Sequence, residues 1–177
     1  MIIVNLENDL SHGRRREKTR TLVKAFENLY LILMKKILIP TDFSPAARYA
    51  LDYAEWFSLV YPSELVALNV IRENKAGEEV IEQNQQQLKK FTTSYPNKID
   101  EKLLGVGEIK LLTRKGKVVE QIVKTAVEEG ADMIILGTRA KHQIWEYFLG
   151  SISTDLVQQS PVPVMIIPEV DTFEPIK

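Results

Sequence analysis

The chain has 177 residues, of which 45% are hydrophobic, and its formal net charge is −1. This length and composition indicate one domain with a sizeable core, to which a terminal extension can be attached. The near-neutral charge gives no reason to expect a nucleic-acid partner. Because there is no cysteine, disulfides, thiolate catalysis and cysteine-ligated metals are excluded, and a reducing, cytoplasmic setting fits.

No stretch of the sequence predicts a membrane span. The longest apolar run, residues 29–38, is interrupted by Lys35 and Lys36 and is too short to cross a bilayer. The first residues, MIIVNLENDLSHG, lack the basic start and small-residue cleavage site of a signal peptide. We therefore expect no membrane span and a cytoplasmic protein.

Strands and helices are predicted to alternate from residue 35 onward. The run 36–39 predicts a buried strand that Pro40 closes. Ser44 and Pro45 then predict a helix start, with the serine as N-cap. The apolar spacing continues that helix to about Tyr61, and LVALNVI at 65–71 predicts a second strand. A polar, amphipathic helix is predicted over 77–94, followed by a short helix over 97–104.

The second half of the sequence repeats this alternation. A third strand is predicted over 109–113, before the basic turn 114–117. The next helix is expected to end at Gly130, and a fourth strand is predicted over 132–136. A helix over 152–159 and a strand over 163–167 complete the pattern, with prolines that suit an edge strand. Alternation of this kind predicts an α/β domain with a mainly parallel sheet covered by helices on both faces.

The two ends of the chain stand outside this unit. We divide the chain into an N-terminal extension (1–33), a domain (34–170) and a C-terminal tail (171–177). Residues 22–33 have the spacing of an amphipathic helix. Three interpretations stay open: a docking or membrane-surface helix, a segment packed on the domain, or a stretch outside the native protein, because Met34 begins the domain abruptly. Intact-mass measurement of protein expressed from its own gene tests the third interpretation, because a species that starts at Met34 would end the docking idea.

Candidate ligand residues follow the ends of the predicted strands. Open parallel sheets bind ligands beyond the carboxyl ends of their strands, where the strand order reverses. Residues at those ends are Pro40, Thr41 and Asp42 after the first strand, Val70 near the end of the second, and Gly137 after the fourth. Asp42 is interpreted either as a hydrogen-bond acceptor for a nucleoside or as a carboxylate that stabilises a helix N-terminus.

Two small-residue turns in LGTRAKHQIWEYFLGS (136–151) predict a phosphate site. Gly137 has no Cβ, so a phosphate can approach its backbone closely. Gly150 and Ser151 open a helix, whose free N–H groups favour an anion. The simpler alternative is that Gly137 only ends a strand and Ser151 only caps a helix. Arg139, Lys141, Lys115 and Lys117 are candidate charge partners for phosphate, or else solvated loop residues.

No catalytic or metal-binding set is recognisable in the sequence. It contains neither a P-loop nor a GxGxxG after the first strand. His142 lacks an evident partner for a Ser-His-Asp arrangement, and two histidines are too few for a histidine-built metal site. A receiver domain is disfavoured, because Asp42 stands alone after the first strand and no lysine lies near the fifth.

Two stretches resemble the universal stress protein (UspA-like) family. KKILIPTDFSPAARYALDYA is similar to the start of such domains, and EEGADMIILGTRA…FLGSISTDLVQQSPVPVMIIP is similar to their C-terminal half. The family signature G-x2-G-x9-G-[ST] reads here as Gly137-Thr-Arg-Ala140, nine residues, then Gly150-Ser151. The resemblance covers about residues 34–168, and only 74–108 are generic.

This resemblance implies a fold and a ligand. The fold is a Rossmann-like sheet of the adenine-nucleotide hydrolase type, with five parallel strands in the order 3-2-1-4-5. The family's ATP-binding branch implies ATP, with Mg²⁺ on its phosphates, and a homodimer paired through the last strand (162–167). The matching nucleoside residues are Pro40, Asp42 and Val70. Those matching the phosphate site are Leu136, Gly137, Ala140, Gly150, Ser151 and Ile152.

Ala140 is the one departure from the signature. Alanine keeps its N–H donor, but its methyl group disfavours positive φ by roughly 1 kcal/mol, which is about a fivefold loss of affinity. The first hypothesis is therefore an ATP-binding stress-response regulator with, at most, slow hydrolysis or self-phosphorylation. The alternative is an interaction module of the same fold that binds an unknown protein partner and no ATP.

Overall fold

The computed structural model describes residues 35–73, 77–93, 108–139 and 150–169. The chain divides into residues 1–33 and residues 34–177, and all described residues belong to the second unit. The predicted short helix over 97–104, the N-terminal extension, the C-terminal tail, and the candidate residues Ala140 and Lys141 lie outside the described ranges.

Strands and helices alternate along the described chain. The strands are β1 (Lys36–Thr41), β2 (Glu64–Ile71), β3 (Lys110–Lys115), β4 (Met133–Thr138) and β5 (Val164–Pro168). The helices are α1 (Pro45–Val60), α2 (Glu78–Thr93), α3 (Val118–Glu129) and α4 (Ser151–Gln159). The strands form one parallel sheet in the order β3-β2-β1-β4-β5. The predicted α/β class and strand order are confirmed.

Alternate residues of the strands pack against helices on opposite faces of the sheet. On one face, Ile37, Ile39 and Ile135 contact the α1 residues Ala50, Leu51 and Ala54. On the other, Leu38, Leu68 and Ile134 contact Ile122 of α3 and Leu156 of α4. Burial on both faces explains why these strands are continuous apolar runs in the sequence.

Local signals account for several helix ends. The Ser44 side chain accepts a hydrogen bond from Ala47 N at 3.3 Å, and Pro45 is the first residue of α1. Gly130 ends α3 in the left-handed conformation with φ 62°, as its position predicts. The α1 stripe of small residues lets this helix lie close to the sheet.

Strand ends differ from the prediction at the ligand-facing edge. β1 continues through Pro40 to Thr41, because its pairing with β2 extends to Thr41 opposite Asn69. The β1–β4 register, in contrast, includes only Ile37 with Met133 and Leu38 with Ile134. Pro40 has no N–H to donate, so the sheet opens between β1 and β4 where the strand order reverses. The basic residues Arg114 and Lys115 belong to β3, not to a turn.

Candidate ligand-binding site

A cleft of about 420 Å³ lies at the carboxyl ends of the strands. It begins where β1 and β4 separate, which is the position that parallel sheets use for ligands. The predicted site residues that line it are Pro40, Thr41, Asp42, Val70, Leu136, Gly137 and Ile152. Ser151 and Gly150 stand at the start of α4, next to the lining residues Ile152 and Ser153.

The loop between β1 and α1 forms one wall of the cleft. Phe43 lies in this wall with φ 63°, a conformation that is uncommon for a residue with a bulky side chain. Its N–H donates to Thr41 Oγ1 at 3.0 Å, and its ring contacts the Phe91 ring edge-on at 5.7 Å. These contacts hold a strained backbone at the site, and nothing in the sequence pattern had indicated it.

Asp42 uses its two carboxylate oxygens differently. Oδ1 accepts a hydrogen bond from Ser44 N at 3.0 Å, which stabilises the turn into α1. Oδ2 lies 3.8 Å from Arg139 Nη2, with side-chain exposures of 68% and 72%. An exposed ion pair of this kind contributes little stability. Both side chains are therefore available to a ligand at the mouth of the cleft.

Gly137 is part of β4 and faces the first turn of α1. A Cβ built on Gly137 would lie 2.0 Å from Ala46 O and 2.7 Å from Ala47 N. Those atoms are backbone and cannot rotate away. The close approach of α1 to β4 therefore requires glycine here, whether or not a ligand binds, and the side of the residue that lacks Cβ is filled by protein.

Among the described residues, no close packing contact of this kind explains why residue 150 is a glycine. It is the N-cap residue of α4, with φ −55° and ψ 157°, values that any residue adopts. Among the described residues, a Cβ at this position would meet no atom within 4 Å. The simpler alternative, in which Ser151 caps the helix, does not hold, because Ser151 is the first helical residue and the N-cap residue, Gly150, has no side chain to accept a hydrogen bond. The N-cap residue itself therefore supplies no side-chain acceptor for the first N–H groups of α4.

Sequence reasoning missed several residues of the cleft. Asn69 and Asn84 were not singled out, because an isolated asparagine carries no motif. Asn69 is only 5% exposed, and its Nδ2 donates to Thr41 O at 2.9 Å. Arg72 at the end of β2 is a second charged residue in the lining. The other residues that the prediction omitted are Phe43, Ala47, Leu68, Ile71, Val80, Val118, Ile122 and Ser153.

The described residues contain no group of three or more His, Asp or Glu side chains that could hold a metal ion. In the same part of the chain, no helix is long and apolar enough to cross a membrane.

Comparison with known proteins identifies the relatives of this chain. It is 33% identical over 155 residues to Universal stress protein MJ0577 of Methanocaldococcus jannaschii, covering 77% of this chain and 96% of the relative. A solved structure of MJ0577 superposes with a TM-score of 0.61 at 29% identity, over 79% of this chain and 99% of that one.

A more distant structural relative is the universal stress protein of Archaeoglobus fulgidus in complex with dAMP. It has a TM-score of 0.57 at 22% identity, over 76% of this chain and 98% of that chain. At this identity the likeness shows the fold alone. The family model of the Universal stress protein family matches residues 34–168 of this chain. The chain therefore belongs to the universal stress protein family.

Proposed function

We propose that this protein is an ATP-binding regulator of a cytoplasmic stress response. The observation that carries the proposal is the cleft between the ends of β1 and β4, lined by Asp42 on one side and by Ile152 at the start of α4 on the other. Its volume of about 420 Å³ is in the range of small-molecule sites.

The start of α4 supports a phosphate at one end of this cleft. A Cβ at Gly150 would meet no atom of the described residues within 4 Å, and Gly150, as the N-cap residue, has no side chain to accept from the first N–H groups of α4. Free N–H groups and the positive end of the helix dipole favour an anion. Arg139 and Ser151 then supply further donors for the phosphate oxygens, and Ala140 and Lys141 complete the proposed phosphate loop.

The fold relatives support an adenine nucleotide as the first ligand to test. One relative was solved with dAMP and another with cAMP. Pro40, Thr41 and Val70 line the same cleft as Asp42 and would contact the nucleoside. We propose that Mg²⁺ accompanies ATP and is held through its phosphates, as Mg²⁺ commonly is.

The proposed role is regulatory rather than strongly catalytic. Asp42 and Arg72 are the charged side chains among the lining residues of the cleft. Asp42 Oδ1 is already engaged with Ser44 N. Slow hydrolysis or self-phosphorylation is the most that this set of residues supports.

The direct experiment is to ask whether the purified full chain carries nucleotide. Denatured protein is analysed by ultraviolet absorbance and mass spectrometry of the released small molecules. We expect an adenine nucleotide in a substoichiometric or stoichiometric amount. Protein that carries none, and that binds none when ATP is added, contradicts the proposal.

The alternative is a protein-interaction module of the same fold, favoured by Ala140 in place of a signature glycine. The two functions predict different results for Ala140→Gly. If the native protein binds ATP, the substitution improves affinity only modestly, by about fivefold. If the native protein does not bind ATP, the substitution creates binding that was absent.

We also propose a homodimer through the last strand, in the region 162–167. β5 pairs with β4 and is the edge of the described sheet. Val164, Met165 and Ile166 are only half-buried there, and an apolar edge strand is suited to pairing with a second copy. Sedimentation of the wild type and of a Val164→Lys variant tests this, with the variant expected to be monomeric.

A further inference from the structure

Two asparagines line the same cleft, and the amide nitrogen of each donates a hydrogen bond to a main-chain carbonyl. Asn69 Nδ2 donates to Thr41 O at 2.9 Å, and Asn84 Nδ2 donates to Val80 O at 2.8 Å. A main-chain carbonyl can accept only from the NH₂ group of an asparagine, so these bonds fix the orientation of both amides. Each bond uses one of the two N–H groups of the amide, and the carbonyl oxygen of each side chain remains as an acceptor.

Among the described residues, the Asn69 oxygen has no hydrogen-bond partner. Its Oδ1 is buried and receives no hydrogen bond, although the residue is only 5% exposed. A buried acceptor without a donor is unfavourable. Because Asn69 lines the cleft, a donor on a ligand that enters the cleft would relieve this cost. Asn84, on α2, is half-buried and lines the same cleft.

We propose that Asn69 and Asn84 select adenine over 6-oxo purines by accepting hydrogen bonds from its 6-amino group. The inference rests on the proposed nucleotide function and names the residues that set its specificity. The adenine amine has two N–H donors. Hypoxanthine and guanine carry a carbonyl oxygen at the same position, which would face two acceptors and leave both without a partner.

A competing role for Asn69 comes from its neighbour in the sheet. Thr113 lies opposite Asn69 in the β2–β3 register, and its Oγ1 is also buried with no hydrogen-bond partner among the residues that the structure describes. If the Thr113 hydroxyl donated a hydrogen bond to the Asn69 oxygen, both residues would contribute only to the stability of the fold. Thr113→Val would then change the stability of the fold, and substitution of Asn69 would leave base preference unchanged.

The test compares ATP with ITP, which differ in this group, by calorimetric titration of the full chain. We expect the wild type to bind ATP at least about tenfold more tightly than ITP, since two hydrogen bonds are lost. Asn84→Leu should bring the two affinities to within about threefold. Asn84→Asp keeps an acceptor and should keep the preference, and so should Gln83→Leu, an exposed neighbour on the same helix that does not line the cleft.

Asn69→Leu and Thr113→Val complete the set, with folding followed by circular dichroism. We expect Asn69→Leu to lose the preference and Thr113→Val to keep it. If Asn69→Leu does not fold, Asn84→Leu remains decisive. If the wild type binds ATP and ITP equally, this inference is overturned while the proposed function stands. Equal binding would occur if Arg72 donated to the 6-oxo group. Failure of the folded wild type to bind either nucleotide overturns the proposed function as well.

Discussion

Gly137 and Ala46 approach so closely that a Cβ on Gly137 would lie 2.0 Å from the Ala46 carbonyl oxygen. This contact fixes the distance between β4 and the first turn of α1, and both elements contribute to the cleft, through Gly137 and Ala47. The glycine of a ligand signature is therefore also a packing residue. A loss of ligand binding after substitution of Gly137 could therefore result from disturbed packing, so this substitution alone does not test the binding site.

Gly137→Ala is expected to destabilise the protein strongly. The added methyl group meets backbone atoms that cannot move without displacing α1, so we expect a loss of about 3 kcal/mol or more in the free energy of unfolding. Urea denaturation in the absence of nucleotide measures it. A loss below about 1 kcal/mol would show that α1 can retreat from β4 easily.

Gly150→Ala separates ligand binding from folding. Because Gly150 has negative φ and open surroundings among the described residues, we expect stability to change by about 1 kcal/mol or less. ATP affinity should fall at least about tenfold, because the methyl group occupies the approach of the phosphate. Gly77→Ala is the matched control.

Gly77 is a suitable control because its structural setting resembles that of Gly150. Gly77 precedes α2, its carbonyl accepts from Ile81 N at 3.1 Å, and its Cβ position is also open. It does not line the cleft, so Gly77→Ala should leave ATP affinity unchanged. Equal ATP binding by the wild type and Gly150→Ala would mean that no phosphate lies at the start of α4.

Arg139→Ala should weaken ATP binding without affecting stability. Its ion pair with Asp42 is exposed and 3.8 Å long, so we expect a change of about 0.5 kcal/mol or less in the free energy of unfolding. Loss of a phosphate partner should also reduce the dependence of ATP affinity on salt. Titrations at low and high NaCl measure both effects, and an unchanged salt dependence would show that Arg139 does not contact phosphate.

Glu129 should make the stability of the fold depend on pH. The hydrogen bond from Lys110 Nζ at 2.7 Å holds the pKa of Glu129 below its ordinary value, with smaller contributions from the charges of Lys110, Lys36 and Arg114. A carboxyl whose pKa is lowered by folding stabilises the protein above its unfolded pKa, and this contribution is lost as pH falls through the folded pKa.

The corresponding variant is Glu129→Gln. It should be less stable than the wild type at neutral pH, and the difference should shrink as the pH falls through the lowered pKa of Glu129. Glu120→Gln, an exposed position on the same helix, is the control. A difference between wild type and Glu129→Gln that stayed constant with pH would show that packing, and not charge, is responsible.

The fold could be predicted from the sequence because its signals are local and repeated. Each local signal predicts one kind of structure. Continuous apolar runs predict buried strands, Ser44 with Pro45 predicts a helix start, and Gly130 predicts a helix end. The limits of the strands were less predictable. Pro40 suggested an end to β1, but the neighbouring strand β2 keeps the pairing to Thr41, and a neighbour's hydrogen bonds are not visible in a local pattern.

The site was predictable only in part. Strand ends and the signature led to Asp42, Val70 and Gly137, which line the cleft. The packing role of Gly137 depends on Ala46, which is distant in sequence. Asn69 and Asn84 come together only after β2 and α2 have folded, so no spacing in the sequence indicates them.

The measurement that tests the central claim most directly is calorimetric titration of the folded full chain with ATP and Mg²⁺. We predict saturable binding of about one ATP per chain at or below millimolar concentration, weakened by Gly150→Ala and unchanged by Gly77→Ala. A folded wild type that gives no binding heat at millimolar ATP, and that ATP does not stabilise against thermal unfolding, would contradict the account.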